Sequence, residues 1–378
     1  MDRLALAMPR DGLERVRVPA TRVTILNNMV TPYTNRLYNR LARRGVAISV
    51  VSCTRQEANR SWGETAPADY PHTVLSGRAL KIAAGRYAHV NSGVAAALAK
   101  TRPDVLFING FYPTMLKGAA WSLFTRTPLC LITEGWRETM PNTIVHRIVR
   151  PLVLARCRAV VTPGVNGTRY FRDAGIAARR IFTVPLVPAW DMPESVPPFS
   201  ERPFHLLWCG HLKDAQKNVS FFLALVNALK PRLPDLRVRI VGNGELEAVV
   251  KARLAAAKVE YLHQQSVPWH QMAEVYASAR VLVFPSVWDP WGLVCDEALQ
   301  CGVPALVSSH VGAAADLIQP ATNGHILPLD VETWVEHCLA LATRAEDWSR
   351  LSAEARVLAA GRGLDRSETA FMTMLDRL

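Results

Sequence analysis

The sequence predicts an α/β protein with two Rossmann-like, doubly wound domains that face a central cleft. Three observations lead to this fold class. The chain has 378 residues, which is too long for one ordinary hydrophobic core. Short apolar stretches with strand character alternate with helical stretches. This alternation starts twice, first after residue 20 and again after a proline-rich segment that ends at Pro203.

The first half begins with a loose N-terminal arm over residues 1–19, followed by the strand RVTILNN. A helix that Gly45 ends leads into the strand VAISVVS, and the later strands are PDVLFINGF, PLCLIT, CRAVVTP and RIFTVPL. Buried strands that alternate with helices are typical of a parallel sheet covered on both faces. We predict a first domain over residues 20–190 and a linker over 191–202.

The second half repeats the pattern with the strands FHLLWCG, LRVRIVGNG, VEYLHQ, RVLVFPS and VPALVSS. We predict a second domain over residues 203–360. A C-terminal helix over 361–378 should pack back towards the first domain. Ligands of such folds bind at the carboxyl ends of the strands, so the cleft between the domains is the predicted site.

Positive charge is concentrated in the first half of the chain. Residues 1–195 contain 27 basic and 12 acidic residues, whereas residues 196–378 contain 17 and 20. This half favours anionic partners such as acidic lipid head groups or phosphorylated substrates. The alternative is a solvated surface with a compositional bias, because 24 of the 27 basic residues are Arg. The excess lacks a recognition motif with interleaved aromatic residues, so we predict no nucleic-acid partner.

Two further compositional features bear on location. No apolar run is long enough to span a bilayer, and the first residues make a poor signal peptide, which predicts a cytoplasmic protein. The seven cysteines form no CxxC pair, which argues against disulfides or a zinc site. A basic surface that includes Arg147, Arg150, Arg156 and Arg158 is predicted to contact the inner face of the plasma membrane peripherally. The alternative is that these arginines are solvated helix charges.

The segment DPWGLVCDEALQCGVP places two acids eight positions apart around a turn and a helix start. Pro290 fixes one φ angle and Gly292 allows another, and the amides around Trp291 to Leu293 then lack intrahelical partners. A diphosphate would bind at such a helix start. Glu297 could accept from ribose hydroxyls and Asp289 from hydroxyls of a bound sugar. Alternatively, the two acids are a helix cap and a surface acid.

Other residues of this half either lie beside these two acids in the sequence or could bind the diphosphate. Asp296 lies one step round the helix and is predicted to be solvated. The stretch WCGHLKDAQKN places Gly210 after a strand and basic residues after it, as a departing diphosphate requires. Lys217 is the predicted phosphate ligand. Lys213 could supply further charge, or it is a solvated loop cation.

These motifs resemble those of the family 4 retaining glycosyltransferases, which have the GT-B fold. The family pattern is an acid, seven residues and then Glu, and DPWGLVCDEALQCGVPALVSS matches it nearly throughout. The continuation VGAAADLI also resembles the family. The resemblance is strong over residues 203–330 and weaker over 20–190. Asp289 replaces the usual Glu and His211 replaces the usual Arg after Gly210, whereas Lys217 stands where the family has Lys.

The resemblance implies that residues 20–190 form the acceptor-binding domain and residues 203–360 the nucleotide-sugar donor-binding domain. It also implies further site residues. The turn VGNGE, with Gly242, lies near the nucleotide in the family, and the segment that contains Val267 meets the base through its backbone. The acceptor side would include Asn28, Pro32, Tyr33 and Arg36. Tyr33 and Arg36 alternatively pack at a helix start. Glu134 stands where many members have His, so it could hold a sugar hydroxyl or assist deprotonation.

The resemblance implies retaining transfer of a hexose from a UDP- or GDP-sugar. The acceptor would be a lipid-linked molecule or an oligosaccharide in cell-surface polysaccharide or lipopolysaccharide synthesis. The chain has no Asp-x-Asp pair, which predicts catalysis without a metal ion, and we expect no cofactor. Two alternatives are open. One is an enzyme that resembles a nucleotide-sugar 2-epimerase. The other is a non-catalytic nucleotide-sugar-binding partner subunit.

Overall fold

The computed structural model describes residues 21–57, 66–82 and 86–378, and the predicted arm over residues 1–19 lies outside them. The N-terminal domain is built on a parallel sheet with the strand order β3-β2-β1-β6-β7-β8-β9. Its strands are β1 (Arg22–Asn27), β2 (Ala47–Ser52), β3 (His72–Val74), β6 (Val105–Asn109), β7 (Leu129–Ile132), β8 (Cys157–Thr162) and β9 (Ile181–Thr183). The central strands are almost wholly buried, as their apolar sequences predict.

Helices connect these strands and cover both faces of the sheet. They are α1 (Pro32–Arg43), α2 (Val94–Thr101), α3 (Pro113–Thr125), α4 (Ile144–Arg156) and α5 (Val165–Asp173). Helix α1 begins where the sequence directs it, because Thr31 and Thr34 form a reciprocal capping box and Pro32 occupies the first turn. Its apolar positions, Leu37 and Leu41, pack into the core.

Sequence reasoning missed three strands of the N-terminal domain. The short β3 carries the polar sequence His-Thr-Val at the sheet edge. The strands β4 (Gly77–Ile82) and β5 (Arg86–Asn91) form a separate antiparallel hairpin. These segments lack the apolar run of a buried strand, and this is the signal on which the predictions relied.

The C-terminal domain contains a second parallel sheet with the order β12-β11-β10-β13-β14-β15. Its strands are β10 (Phe204–Cys209), β11 (Arg237–Val241), β12 (Glu260–Gln264), β13 (Ala279–Phe284), β14 (Ala305–Ser308) and β15 (Gly324–Leu327). Its helices are α6 (Asp214–Lys217), α7 (Val219–Leu229), α8 (Glu247–Ala256), α9 (Met272–Ala277), α10 (Leu293–Gln300), α11 (Ala314–Leu317), α12 (Val331–Thr343) and α13 (Ala345–Ala360).

The last helix, α14 (Leu364–Leu375), leaves the C-terminal domain and packs on the N-terminal one. Phe371 enters the core beside Phe107, with ring centroids 5.6 Å apart. Glu368 pairs with Arg40, and with Arg44 from the end of α1. The chain therefore crosses between the domains twice, once through the segment after β9 and once between α13 and α14.

The first crossing segment contacts the helices on both sides of the second crossing. Ser367 Oγ donates to Pro185 O at 2.8 Å, and Arg356 donates to the carbonyls of Pro193 and Glu194 at 2.7 and 3.0 Å. The architecture is the predicted one, with two Rossmann-like α/β domains. Within the described ranges, no helix is both long enough and apolar enough to cross a membrane.

Candidate active site

The two domains meet through loops that follow the carboxyl ends of their strands. The loops come after β7 and β8 in one domain and after β13 and β14 in the other. Among the described residues, polar contacts that join them include Trp136 Nε1 to Asp289 O (3.0 Å), Asn166 Nδ2 to Gly312 O (3.0 Å), Val165 N to the Asp316 carboxylate (3.0 and 3.1 Å), and His310 Nδ1 to Glu138 Oε2 (2.9 Å). The cleft is therefore bordered by the segment that contains the predicted acids.

Lys217 and Asp289 lie together at this border, although 72 residues separate them in the sequence. Lys217 Nζ donates to Asp289 Oδ2 at 2.5 Å, and both side chains are largely enclosed. The Lys217 ammonium also lies 4.6 Å from the centroid of the Phe284 ring, within cation–π range. A fixed cation next to a carboxylate can serve a departing diphosphate and a sugar hydroxyl at the same place.

Glu297 lies one turn into α10 and is half-buried. It accepts a hydrogen bond from the Tyr276 hydroxyl of α9 at 2.5 Å. Burial raises the pKa of Glu297 to about 7, although the Tyr276 hydrogen bond opposes the shift. Glu297 therefore changes charge near neutral pH and can bind a polyol in its ionised form.

Asp296 is not solvated, contrary to the prediction. Its side chain is 1% exposed, and its Oδ1 has no hydrogen-bond partner among the described residues. Burial raises the pKa of Asp296 to about 7, although the nearby Arg362 charge and the Gln300 side chain oppose the shift. Asp296 lies one step round α10 from Glu297, as predicted. Helix α13 and the α13–α14 junction cover this face of α10, and no local sequence signal indicates this coverage.

Helix α10 begins after Gly292, whose φ of 98° is in the left-handed region. No side chain caps this start, so the first amides of α10, around Leu293, can bind a phosphate. The Trp291 side chain is buried against the N-terminal domain, where a Cβ on Gly164 would lie 2.6 Å from its ring. Of these two residues, only Trp291 has a backbone amide that can donate to a phosphate, because Pro290 lacks an amide hydrogen.

The loops after β10 and β11 pack backbone against backbone. A Cβ on Gly242 would lie 1.9 Å from Gly210 O, and both glycines have positive φ. A Cβ on Gly210 would lie 3.4 Å from Lys217 Cε. The predicted glycines therefore let these loops approach each other and bring the lysine alongside.

Three other predicted donor-side residues differ in their accessibility. His211 and Lys213 are half-buried in the loop after β10. Val267 is buried in the core of the C-terminal domain, so its side chain cannot contact a base. If this segment meets a base, it does so through its backbone.

On the acceptor side, β1 and β6 are the neighbouring strands at which the strand order reverses. Asn109 Nδ2 donates to Asn27 Oδ1 at 2.8 Å across their ends. The adjacent Asn28 is half-buried, and its enclosed Oδ1 lacks a partner among the described residues. Tyr33 and Glu134 are also half-buried. An unsatisfied amide oxygen at such a switch point can accept from a ligand hydroxyl.

The predicted acceptor-side residues Arg36 and Pro32 make contacts within the protein. The Arg36 guanidinium donates to Pro188 O at 2.7 Å and also bonds Trp190 O and the Asp191 carboxylate. Arg36 therefore anchors the interdomain linker to α1. Pro32 is buried as the first residue of α1. The sequence placed Arg36 correctly on the helix, but its partners lie more than 150 residues away.

Two family models match the chain, one in each domain. The Glycosyl transferase 4-like domain matches residues 30–186, and Glycosyl transferases group 1 matches residues 203–344. The chain belongs to the family 4 glycosyltransferases. This membership confirms the resemblance inferred from the DPWGLVCDE segment.

Solved structures of similar architecture confirm the GT-B fold of this glycosyltransferase. Anabaena Alr3699/HepE in complex with UDP and glucose has a TM-score of 0.72 at 14% identity, over 95% of this chain and 100% of that chain. The lipopolysaccharide outer core galactosyltransferase WaaB has a TM-score of 0.65 at 14% identity, over 93% and 99% of the two chains.

Curated relatives match shorter stretches. The lipopolysaccharide 1,6-galactosyltransferase of Salmonella typhimurium is 24% identical over 147 residues, which are 37% of this chain and 40% of that protein. The uncharacterized glycosyltransferase MJ1607 of Methanocaldococcus jannaschii is 43% identical over 123 residues, which are 32% of this chain and 30% of that protein. The chain thus spans 30–40% of the length of these two relatives.

Proposed function

We propose that this glycosyltransferase moves a hexose from a nucleotide diphosphate sugar to a hydroxyl acceptor with retention of anomeric configuration. The observation that carries the proposal is the Lys217–Asp289 pair beside the uncapped start of α10. This arrangement offers a cation and free amides to a diphosphate and a carboxylate to the adjoining sugar. The HepE structure named for UDP and glucose supports a UDP-sugar in particular.

In the proposed reaction, the bond between the anomeric carbon and the diphosphate oxygen breaks as the acceptor oxygen bonds to the same face of that carbon. The acceptor proton passes to the departing diphosphate. Lys217 and the first amides of α10 stabilise the charge that develops on the diphosphate. Glu297 binds the ribose and Asp289 binds the transferred sugar. Because Lys217 and the helix start supply the positive potential, we infer that no metal ion takes part.

The acceptor is proposed to be a lipid-linked molecule or an oligosaccharide in lipopolysaccharide or related polysaccharide synthesis. Support comes from the similarity to lipopolysaccharide galactosyltransferases and from Asn28 at the switch point. The protein would act in the cytoplasm at the inner face of the membrane. Helix α4 presents an apolar stripe suited to such a surface, with Ile144, Ile148 and Leu152 exposed by 75%, 61% and 65%.

The test is nucleotide diphosphate release from a panel of UDP- and GDP-sugars, measured with and without candidate acceptors and with EDTA present. Wild-type protein should release nucleotide from one donor. Lys217→Ala and Glu297→Ala should lose roughly two to three orders of magnitude in rate. Lys230→Ala is the matched control, because its ammonium bonds Pro234 O at an exposed site away from the cleft.

Other outcomes would select the alternatives. A changed sugar without any acceptor would indicate an enzyme that resembles an epimerase. Nucleotide binding without turnover of any donor would indicate a non-catalytic partner subunit. Loss of turnover in EDTA, restored by a divalent cation, would overturn the metal-independent mechanism.

A further inference from the structure

We propose that Trp136 is a positioning residue that fixes Asp289 for sugar transfer when the two domains are docked. The inference rests on the proposed transferase function. Trp136 lies in the loop after β7 of the N-terminal domain, whereas Asp289 follows β13 of the C-terminal domain. The indole N–H donates to the Asp289 carbonyl at 3.0 Å across the domain border.

The Asp289 backbone is held by three hydrogen bonds. Its amide donates to His310 O at 2.9 Å, and its carbonyl accepts from the Gly312 amide at 3.1 Å. Both of these bonds lie within the C-terminal domain. The third bond, from Trp136, satisfies the second lone pair of the same carbonyl. Only this third bond depends on the presence of the other domain.

Trp136 is itself rigidly held. Its amide donates to Thr139 Oγ1 at 3.0 Å, and its carbonyl accepts from the amides of Thr139 and Met140 at 3.0 and 2.9 Å. Its side chain is 7% exposed. A Cβ on Gly312 would lie 2.9 Å from the indole nitrogen, so the ring fits closely against the opposite loop. The indole can therefore orient the peptide that it contacts.

The carbonyl of Asp289 and its carboxylate belong to one residue whose side chain is almost completely buried. The carboxylate already pairs with Lys217, so a small rotation of the Asp289 peptide would move the atoms that face the sugar and the phosphate. A small displacement of a group that is positioned for catalysis lowers the rate of the chemical step more than it lowers the affinity for the ligand. Trp136 thus couples the docking of the domains to the geometry at the anomeric carbon.

The molecule offers a matched comparison for this coupling. Asn166 Nδ2 also crosses the border, and it donates to Gly312 O at 3.0 Å. Asn166→Ala would weaken docking by one hydrogen bond without removing a donor from Asp289. Trp136→Phe removes the donor to Asp289 and keeps an aromatic ring in place. A residue that only joins the domains would behave like Asn166.

The experiment compares wild-type protein, Trp136→Phe and Asn166→Ala, first by steady-state transfer with the accepted donor. Trp136→Phe should lower kcat by about five- to tenfold, which corresponds to one lost hydrogen bond. Its donor KM should stay within about twofold of wild type, as expected for an interaction used in the transition state. Asn166→Ala should change kcat by less than about twofold, which is a difference comparable to the error of the assay.

Calorimetric binding of UDP and of the UDP-sugar provides a second readout that needs no turnover. Trp136→Phe and Asn166→Ala should both bind UDP and the UDP-sugar within about twofold of wild type, so that a lower kcat in Trp136→Phe reports the positioning of Asp289 in the transition state. If Trp136→Phe does not fold, Thr139→Val is the substitute, because it removes the acceptor of the Trp136 amide and leaves the indole.

Equal kinetics for Trp136→Phe and Asn166→Ala, or an unchanged kcat in Trp136→Phe, would overturn this inference and leave the transferase function standing. Wild-type protein that binds no nucleotide sugar would overturn both. The two failures are therefore distinguishable.

Discussion

Glu297 changes its protonation state near the pH at which the protein would work. Burial raises its pKa to about 7, and the Tyr276 hydroxyl limits the rise by donating to the carboxylate. The sequence identified this acid from its spacing after Asp289. It did not identify Tyr276, because the two residues are on different helices and no motif links them.

The pKa of Glu297 predicts a pH-dependent donor KM. If the ionised carboxylate binds the ribose, KM should rise by about tenfold between pH 8 and pH 6. Tyr276→Phe removes the hydrogen bond that lowers the Glu297 pKa, so the rise should begin at a higher pH. Steady-state kinetics over pH 5.5–9 would show the shift, and Tyr261→Phe on β12 is the control. An unchanged profile in Tyr276→Phe would contradict the assignment.

The buried Asp296 predicts a pH-dependent stability. Its folded pKa of about 7 lies above the value of an unfolded Asp, so the folded state binds the proton more tightly. The free energy of unfolding should therefore fall as pH rises from about 4 to 7. Asp296→Asn should remove this loss and be more stable than wild type at pH 8, by on the order of 3 kcal/mol.

Urea denaturation at pH 4.5 and pH 8 would measure the effect of Asp296→Asn, which should nearly vanish at the lower pH. Asp376→Asn, at an exposed position, serves as control. A variant that is less stable than wild type at both pH values would show that the Asp296 carboxylate is charged and well solvated in the folded protein.

At the scale of elements, the sequence predicted those strands and helices whose burial follows from their own apolar pattern. The segment RVLVFPS is an example, and it forms β13 at the centre of its sheet. The prediction missed β3, β4 and β5, which have no such pattern.

The sequence-based prediction also grouped Arg150 with a basic surface. Arg150 instead bonds the Tyr170 hydroxyl at 2.6 Å and the Pro141 carbonyl.

Helix α4 combines an exposed apolar stripe with the exposed Arg147, and this combination predicts binding to anionic bilayers. Arg147→Glu should weaken partition onto vesicles with acidic lipids by about tenfold or more, because one attraction of about 1 kcal/mol becomes a repulsion. Ile148→Ser should weaken partition onto the same vesicles through lost apolar contact. Cosedimentation would measure both.

Val357→Ser is the matched control for the α4 variants, because Val357 is 68% exposed on α13 of the other domain. Equal binding of wild type and both α4 variants would exclude α4 as the contact surface. Binding only to vesicles that lack acidic lipid would contradict the role of charge.

At the scale of the molecule, α14 belongs to the N-terminal core although it ends the chain. Phe371 and Met374 pack with the central strands β1 and β6 of that sheet. Phe371→Ala should therefore destabilise the N-terminal domain by about 3–5 kcal/mol. Hydrogen exchange should show reduced protection in β1 and β6, and little change in β10 and β13.

Val357→Ala, at an exposed site of α13, is the control for this variant and should leave exchange unchanged. Reduced protection confined to the C-terminal sheet would show that α14 does not support the first domain. The charge pattern of the sequence gave no indication that α14 supports the first domain. Glu368 pairs with Arg40 and Arg44, which lie more than 300 residues away from it.

The first crossing between the domains is bonded to the helices on both sides of the second, with Ser367 of α14 bonded to Pro185 and Arg356 of α13 bonded to Pro193. A single connecting segment would let one domain rotate about any axis, including the direction of the segment itself. Two connections that are bonded together resist that torsion, because one would have to wind around the other. Relative motion is then limited to bending near the pair, which leaves essentially one degree of freedom. Each opening and reclosing would therefore return the Trp136 loop to the same place on its partner.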